Sequence, residues 1–81
     1  MLDKCLDSLR RLIAEGHTNG IPMAERAIDE FLAAISPADR KEGLQSVQQV
    51  VQTQRDAVTG IHRSFADTVN DYIEKKMQAF E

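Results

Sequence analysis

The sequence predicts an all-α protein in which a short helical hairpin packs on one long C-terminal helix, with homodimerisation completing the bundle. Apolar residues recur every three or four positions along most of the 81 residues, as on one face of a helix. No alternation of period two, the mark of a strand, extends beyond a few residues. One amphipathic stretch, 37–80, covers more than half of the chain. We interpret 1–81 as a single helical domain.

The first helix is predicted over residues 2–15. Asp3 lies near its start and Arg10 and Arg11 near its end, as the helix dipole favours, and Gly16 follows as a terminator. Its apolar residues at helical spacing are Leu2, Cys5, Leu6, Leu9, Leu12 and Ile13. The segment 17–20 is predicted to be a turn in which Asn-Gly adopts positive φ.

The second helix is predicted over residues 22–35. Pro22 suits the first turn of a helix, where its missing amide proton does no harm. The apolar positions are Ala24, Ala27, Ile28, Phe31, Leu32 and Ile35. Charged residues occupy the opposite side, so this helix has one face for a core.

The third helix is predicted over residues 37–80. The Ser36 hydroxyl is placed to cap its amino end, Pro37 presets the first helical φ, and the Asp39 carboxylate lies at the positive end of the helix dipole. No proline interrupts it, and a rod of this length extends for about 65 Å. Gly60 is the position at which the helix can bend or break, and a full break there gives a four-helix arrangement.

The long helix has more apolar length than two short helices can cover. We therefore predict that it associates with a second copy, as in a coiled coil, or with another helical protein. The predicted contact surface comprises Leu44, Val47, Val50, Val51, Gln54, Val58, Ile61, Phe65 and Tyr72. Gln54 lies within the apolar face, where pairing with its mate across a twofold axis would satisfy its amide.

A second candidate surface is free of charge. No charged residue occurs from Gly43 to Gln54, and Gln45, Gln48, Gln49 and Gln52 lie in this segment. Because interface cores are depleted in charge, these glutamines are a candidate contact face. The alternative interpretation is that glutamine is simply a good helix former on a wet surface.

No pattern of catalytic or metal-binding residues is evident, so we predict neither enzyme activity nor a cofactor. Asp67, Asp71 and Glu74 share one helix face but lack the Glu-x-x-His pattern of helix-bundle metal sites. Arg63 and Lys75 lie one turn from Asp67 and Asp71, respectively, which indicates a solvated face with ion pairs. Cys5 and His62 could form a catalytic dyad only if the fold brought the two side chains together. Cys5 is otherwise expected to pack as a small hydrophobe, and His62 lies at the edge of the apolar stripe.

Composition excludes several classes of partner. The net charge is −3 and no segment is a basic patch, so nucleic acid is not expected to bind. No apolar run reaches the length of a membrane span, and the mixed charges beside the apolar stripe disfavour membrane surfaces. The lone cysteine and the lack of a recognisable secretory leader predict a reducing compartment, the cytoplasm.

These observations predict a small non-enzymatic helical protein–protein interaction module of the adaptor, inhibitor or regulator type, which self-associates through its long amphipathic helix. An amphipathic-helix protein that binds a lipid or granule surface is the first alternative. A secretion-chaperone-like or antitoxin-like partner of another protein is the second.

Overall fold

In a computed structural model, which describes residues 2–79, the chain forms four α-helices joined by short connections. Helix α1 spans Leu2–Glu15, α2 spans Ile21–Ala34, α3 spans Arg40–Ala57 and α4 spans Ile61–Gln78, with 3-10 turns at Thr18–Gly20 and Pro37–Asp39. No strand occurs over the described range. The predicted all-α class is therefore confirmed.

The first two helices lie where the sequence predicts them. α1 has the predicted bounds, and α2 begins and ends one residue earlier than expected. Gly16 terminates α1 with φ +68°, and its amide donates to the Leu12 carbonyl at 3.0 Å. The positive φ expected for Asn-Gly is wrong, because Gly20 has φ −79° and closes a 3-10 turn.

The continuous helix predicted over 37–80 is wrong. α3 ends at Ala57 and α4 begins at Ile61, because Gly60 adopts φ +64° and ψ −134°, which no helix contains. The chain reverses there, and the apolar faces of α3 and α4 pack together within one molecule. The four-helix arrangement that Gly60 allowed is thus the one observed. Phe80, the predicted end of the helix, lies outside the described residues.

The amino end of α3 also differs in detail from the prediction. Residues 37–39 form a 3-10 turn, so the α-helix begins at Arg40. The Ser36 hydroxyl donates to Asp39 Oδ2 at 2.8 Å and caps no free amide. Gly43 lies inside α3 without interrupting it.

The four helices enclose one apolar core. α3 and α4 form an antiparallel pair, while α1 contacts each of the other three helices and α2 packs on α4. The buried residues are Cys5, Leu6, Leu9, Leu12, Ile13, Ala24, Ile28, Phe31, Leu32, Leu44, Val47, Val51, Phe65, Ala66, Val69 and Ile73. Because the chain folds back at Gly60, the molecule measures 36 × 21 × 18 Å, far shorter than the predicted rod.

Candidate functional site

Most of the predicted self-association surface lies inside the core of the chain itself. Leu44, Val47 and Val51 are fully buried, and Phe65 is only 4% exposed. Val50, Gln54, Val58 and Tyr72 are partly buried. The prediction that these residues form an uncovered apolar stripe is therefore wrong, because α4 covers α3 within the same molecule.

Ile61 is the exception, since 66% of it is exposed. It lies at the start of α4, on the rim of a cleft of about 320 Å³ that Ile21 and Phe65 also line. Met23, which is 58% exposed, is a second large apolar residue on the surface. We did not single out Met23 from the sequence, although its place off the apolar face of the second helix was a sufficient signal.

The predicted charge-free face is exposed on α3. Gln45, Gln49, Gln52 and Thr53, here called the glutamine face, all lie at the surface. Gln48 differs from them, because it is partly buried and donates to Glu74 of α4 at 3.4 Å. The Thr53 hydroxyl donates to the Gln49 carbonyl at 2.9 Å. The face therefore presents three amide groups and no charge.

The predicted acidic row borders a polar groove between α3 and α4. Asp67 forms an ion pair with Arg55 across the helix pair, whereas the sequence had suggested Arg63 as its partner. Glu74 accepts hydrogen bonds from Gln48 and Asn70 at 3.4 Å each. Over residues 2–79, no three His, Cys, Asp or Glu side chains are grouped as metal ligands. Asp67 and Glu74 therefore connect α4 to α3.

Cys5 is buried in α1, beside an apolar groove that Ala27 and Phe31 of α2 also line. Burial raises the pKa of its thiol to about 11, so the thiol is protonated at neutral pH and is a poor nucleophile. His62 contacts Ile13. Ile13 follows Cys5 by eight positions in α1, which separates the two by about 12 Å along the helix axis. The structure does not bring Cys5 and His62 together.

His62 caps the carboxyl end of α1. Its Nδ1 atom lies 3.0 Å from the Ile13 carbonyl oxygen, and because that oxygen only accepts, Nδ1 carries the proton. A Cβ atom on Gly16 would lie 2.5 Å from the same nitrogen. The ring therefore packs against a glycine and satisfies a helix-end carbonyl, which is a structural role.

An ion-paired cluster joins α2 to α4. The Tyr72 hydroxyl donates to both carboxylate oxygens of Asp29, at 2.7 and 2.9 Å. Lys76 Nζ lies 3.3 Å from Asp29 and 5.3 Å from the centroid of the Tyr72 ring, close enough for a cation–π contact. Sequence reasoning missed this cluster, because 43 positions separate Asp29 from Tyr72.

This cluster predicts a loss of stability at alkaline pH. Burial and the hydrogen bond to Asp29 raise the pKa of Tyr72, and the hydrogen bonds to Tyr72 and Asp29 raise that of Lys76. Groups with raised pKa stabilise the fold fully below their unfolded pKa, about 10 for both. We expect the free energy of unfolding to fall above pH 10, as measured by urea denaturation. In the Tyr72→Phe variant, the free energy of unfolding should be about 0.5 kcal/mol lower than in the parent chain at pH 8, and it should fall less steeply above pH 10. An equally steep fall in the variant would contradict this role of Tyr72.

No protein-family model matches the chain, and neither a curated protein nor a solved structure matches it. None of the helices described over 2–79 is long and apolar enough to cross a bilayer. The candidate surfaces are thus the glutamine face and the apolar surface around Ile61.

Proposed function

We propose that this protein is a small, non-enzymatic helical module that binds another protein through the glutamine face of α3. The observation that carries the proposal is that this face is both exposed and free of charge over about two and a half helical turns, from Gln45 to Thr53. The outer faces of the other helices carry charged residues, for example Arg10 on α1, Arg26 on α2 and Asp71 on α4. Depletion of charge is the compositional mark of an interface core.

The chemistry of the face suits contact with a protein. Each glutamine amide donates and accepts hydrogen bonds, and burying an amide against matching groups is far less costly than burying a charge. Gln45, Gln49 and Gln52 make no side-chain hydrogen bond within residues 2–79. Their amides are therefore available to a partner.

The helix behind the face is rigidly supported. Leu44, Val47 and Val51 anchor α3 with no exposed surface, so the helix presents its outer face as part of a packed scaffold. An 18-residue helix is about 27 Å long, a length that suits a partner helix lying along it. The single buried thiol fits a reducing compartment, and we propose the cytoplasm as the location.

The proposal is tested by placing a photo-reactive amino acid at Gln49 and, as the matched control, at Thr68, which is exposed on α4. We expect one protein to cross-link at Gln49 and not at Thr68. Gln45→Glu and Gln49→Lys together should abolish its binding, because both introduce a charge that the partner must desolvate. The purified partner should shift backbone amide resonances along α3; shifts confined to another helix would overturn the proposal.

A further inference from the structure

The reversal between α3 and α4 depends on a single glycine. The connection is three residues long, 58–60, and the φ of +64° and ψ of −134° at Gly60 form a combination that is open almost only to glycine. A Cβ atom added to Gly60 meets no atom within 4 Å. Backbone conformation, and not space, therefore limits this position to glycine.

The apolar pattern of the sequence passes through this reversal without a change of phase. Positions 51, 54, 58, 61 and 65 follow at alternating steps of three and four, and four of the five are Val51, Val58, Ile61 and Phe65. This is the spacing of one face of an uninterrupted helix. Two helices joined by a turn do not need a common phase, so the sequence over 40–78 also fits a single helix.

The exposure of Ile61 agrees with a second arrangement of the same chain. In the bundle it is 66% exposed, although it belongs to the same stripe as Phe65, which is buried. If residues 58–60 became helical, Ile61 would lie on the apolar face that Phe65 and Val58 share. Covering that face would then bury Ile61 as well.

The register of α3 and α4 is centred on Ile61. Arg55 and Asp67, which are paired, lie six positions on either side of it, and Gln48 and Glu74 lie thirteen positions on either side. A straightened α3–α4 helix can therefore pair with a second copy in the same antiparallel register. The twofold axis then passes at Ile61, and the two Ile61 side chains face each other.

We infer that this chain exchanges α4 between two copies and so forms a closed twofold dimer. Residues 58–60 become helical, and each α4 packs on the partner copy in the contacts it makes within one molecule in the bundle. Such exchange reuses existing contacts, and short hinge connections favour it. The inference goes beyond the proposed function, because the exchange does not use the glutamine face.

Gly60→Ala tests the hinge. Alanine is strained at a φ of +64° but is a better helix former than glycine, so the change disfavours the reversal and favours the straight helix. The substitution in each of the two chains lowers the dimer dissociation constant about tenfold, so the constant should fall at least about 100-fold in total. Sedimentation equilibrium of the full chain should show twice the 9.1 kDa chain mass.

Replacing Gly60 by D-alanine in chemically synthesised protein is the matched control, because D-residues favour positive φ. This variant should be monomeric where the L-alanine variant is dimeric. An L-alanine variant that is monomeric at every concentration, folded or unfolded, overturns the inference. A D-alanine variant that dimerises as tightly as the L-alanine variant overturns it too.

The position of the twofold axis is tested by disulfide formation in a Cys5→Ala, Gly60→Ala chain. With Ile61→Cys added, the dimer should cross-link readily, because the two introduced thiols face each other. Thr68→Cys is the control, since it is exposed and would lie about 21 Å from its mate along the helix axis. Equal cross-linking at both positions excludes this exchange. Gln45→Glu with Gln49→Lys should leave the dimer unchanged, because both residues are exposed on α3, and this separates failure here from failure of the proposed function.

Discussion

Replacing Gly16 with alanine is expected to destabilise the bundle by about 2–4 kcal/mol. Two effects add. Gly16 has φ +68°, which is strained for any residue with a Cβ atom. That Cβ atom would also lie 2.5 Å from Nδ1 and 2.7 Å from Cε1 of His62, so the ring must move and lose its hydrogen bond to the Ile13 carbonyl. Small domains have about 5–15 kcal/mol of stability in total, so this loss is a large fraction.

Urea denaturation of a double-mutant cycle separates the two effects. His62→Ala alone leaves the Ile13 carbonyl without its hydrogen-bond donor, and we expect this variant to lose about 1 kcal/mol of the free energy of unfolding. In the His62→Ala background, Gly16→Ala should lower the free energy of unfolding only by the cost of the positive φ, about 1–2 kcal/mol. If Gly16→Ala has the same effect in both backgrounds, the contact between ring and glycine does not exist in solution.

Phe65→Asp is expected to abolish the fold, because it should lower the free energy of unfolding by at least about 4 kcal/mol. Phe65 is 4% exposed in the core, so the change removes an aromatic ring from the core and puts a carboxylate in its place. A monomer that retains the helicity of the parent chain would contradict the fold described above.

Ile61→Asp is the matched control, four positions earlier on the same apolar stripe. Ile61 is 66% exposed and begins α4, where a carboxylate interacts favourably with the helix dipole. In the monomer, we therefore expect the free energy of unfolding to change by no more than about 0.5 kcal/mol, as measured at concentrations below those at which the chain dimerises. Circular dichroism during thermal unfolding distinguishes the two variants, and equal destabilisation of both would show that Ile61 is buried in the folded monomer.

The local pattern of the sequence identified much of the fold. Helical spacing predicted α1 within its observed bounds and α2 to within one residue, and Gly16 was identified as a terminator. The pattern also identified the charge-free glutamines as a candidate contact face, and of these Gln45, Gln49 and Gln52 lie at the surface. Helix formation and amphipathicity depend on residues three or four positions apart, and for that reason a single sequence reveals them.

The contacts between distant residues were not predictable in the same way. Asp29 and Tyr72, Ile13 and His62, and Arg55 and Asp67 meet only because the helices pack. No spacing in the sequence encodes which polar groups will face each other across two helices. The partner of Asp67 was accordingly assigned to its own helix, whereas the structure places it on the neighbouring one.

The sequence by itself determined that this protein is helical, which faces are apolar, and that glycine 60 is the weak point of its longest amphipathic stretch. Tertiary structure alone decided that the chain reverses there, and hence that Leu44, Val47 and Phe65 form a core within one molecule. The physical reason is that local helix propensity and apolar phase are the same on both sides of Gly60, so they favour a straight helix and a reversed one almost equally. Burial of α3 against α4 favours reversal, and a positive φ at one glycine makes it sterically accessible.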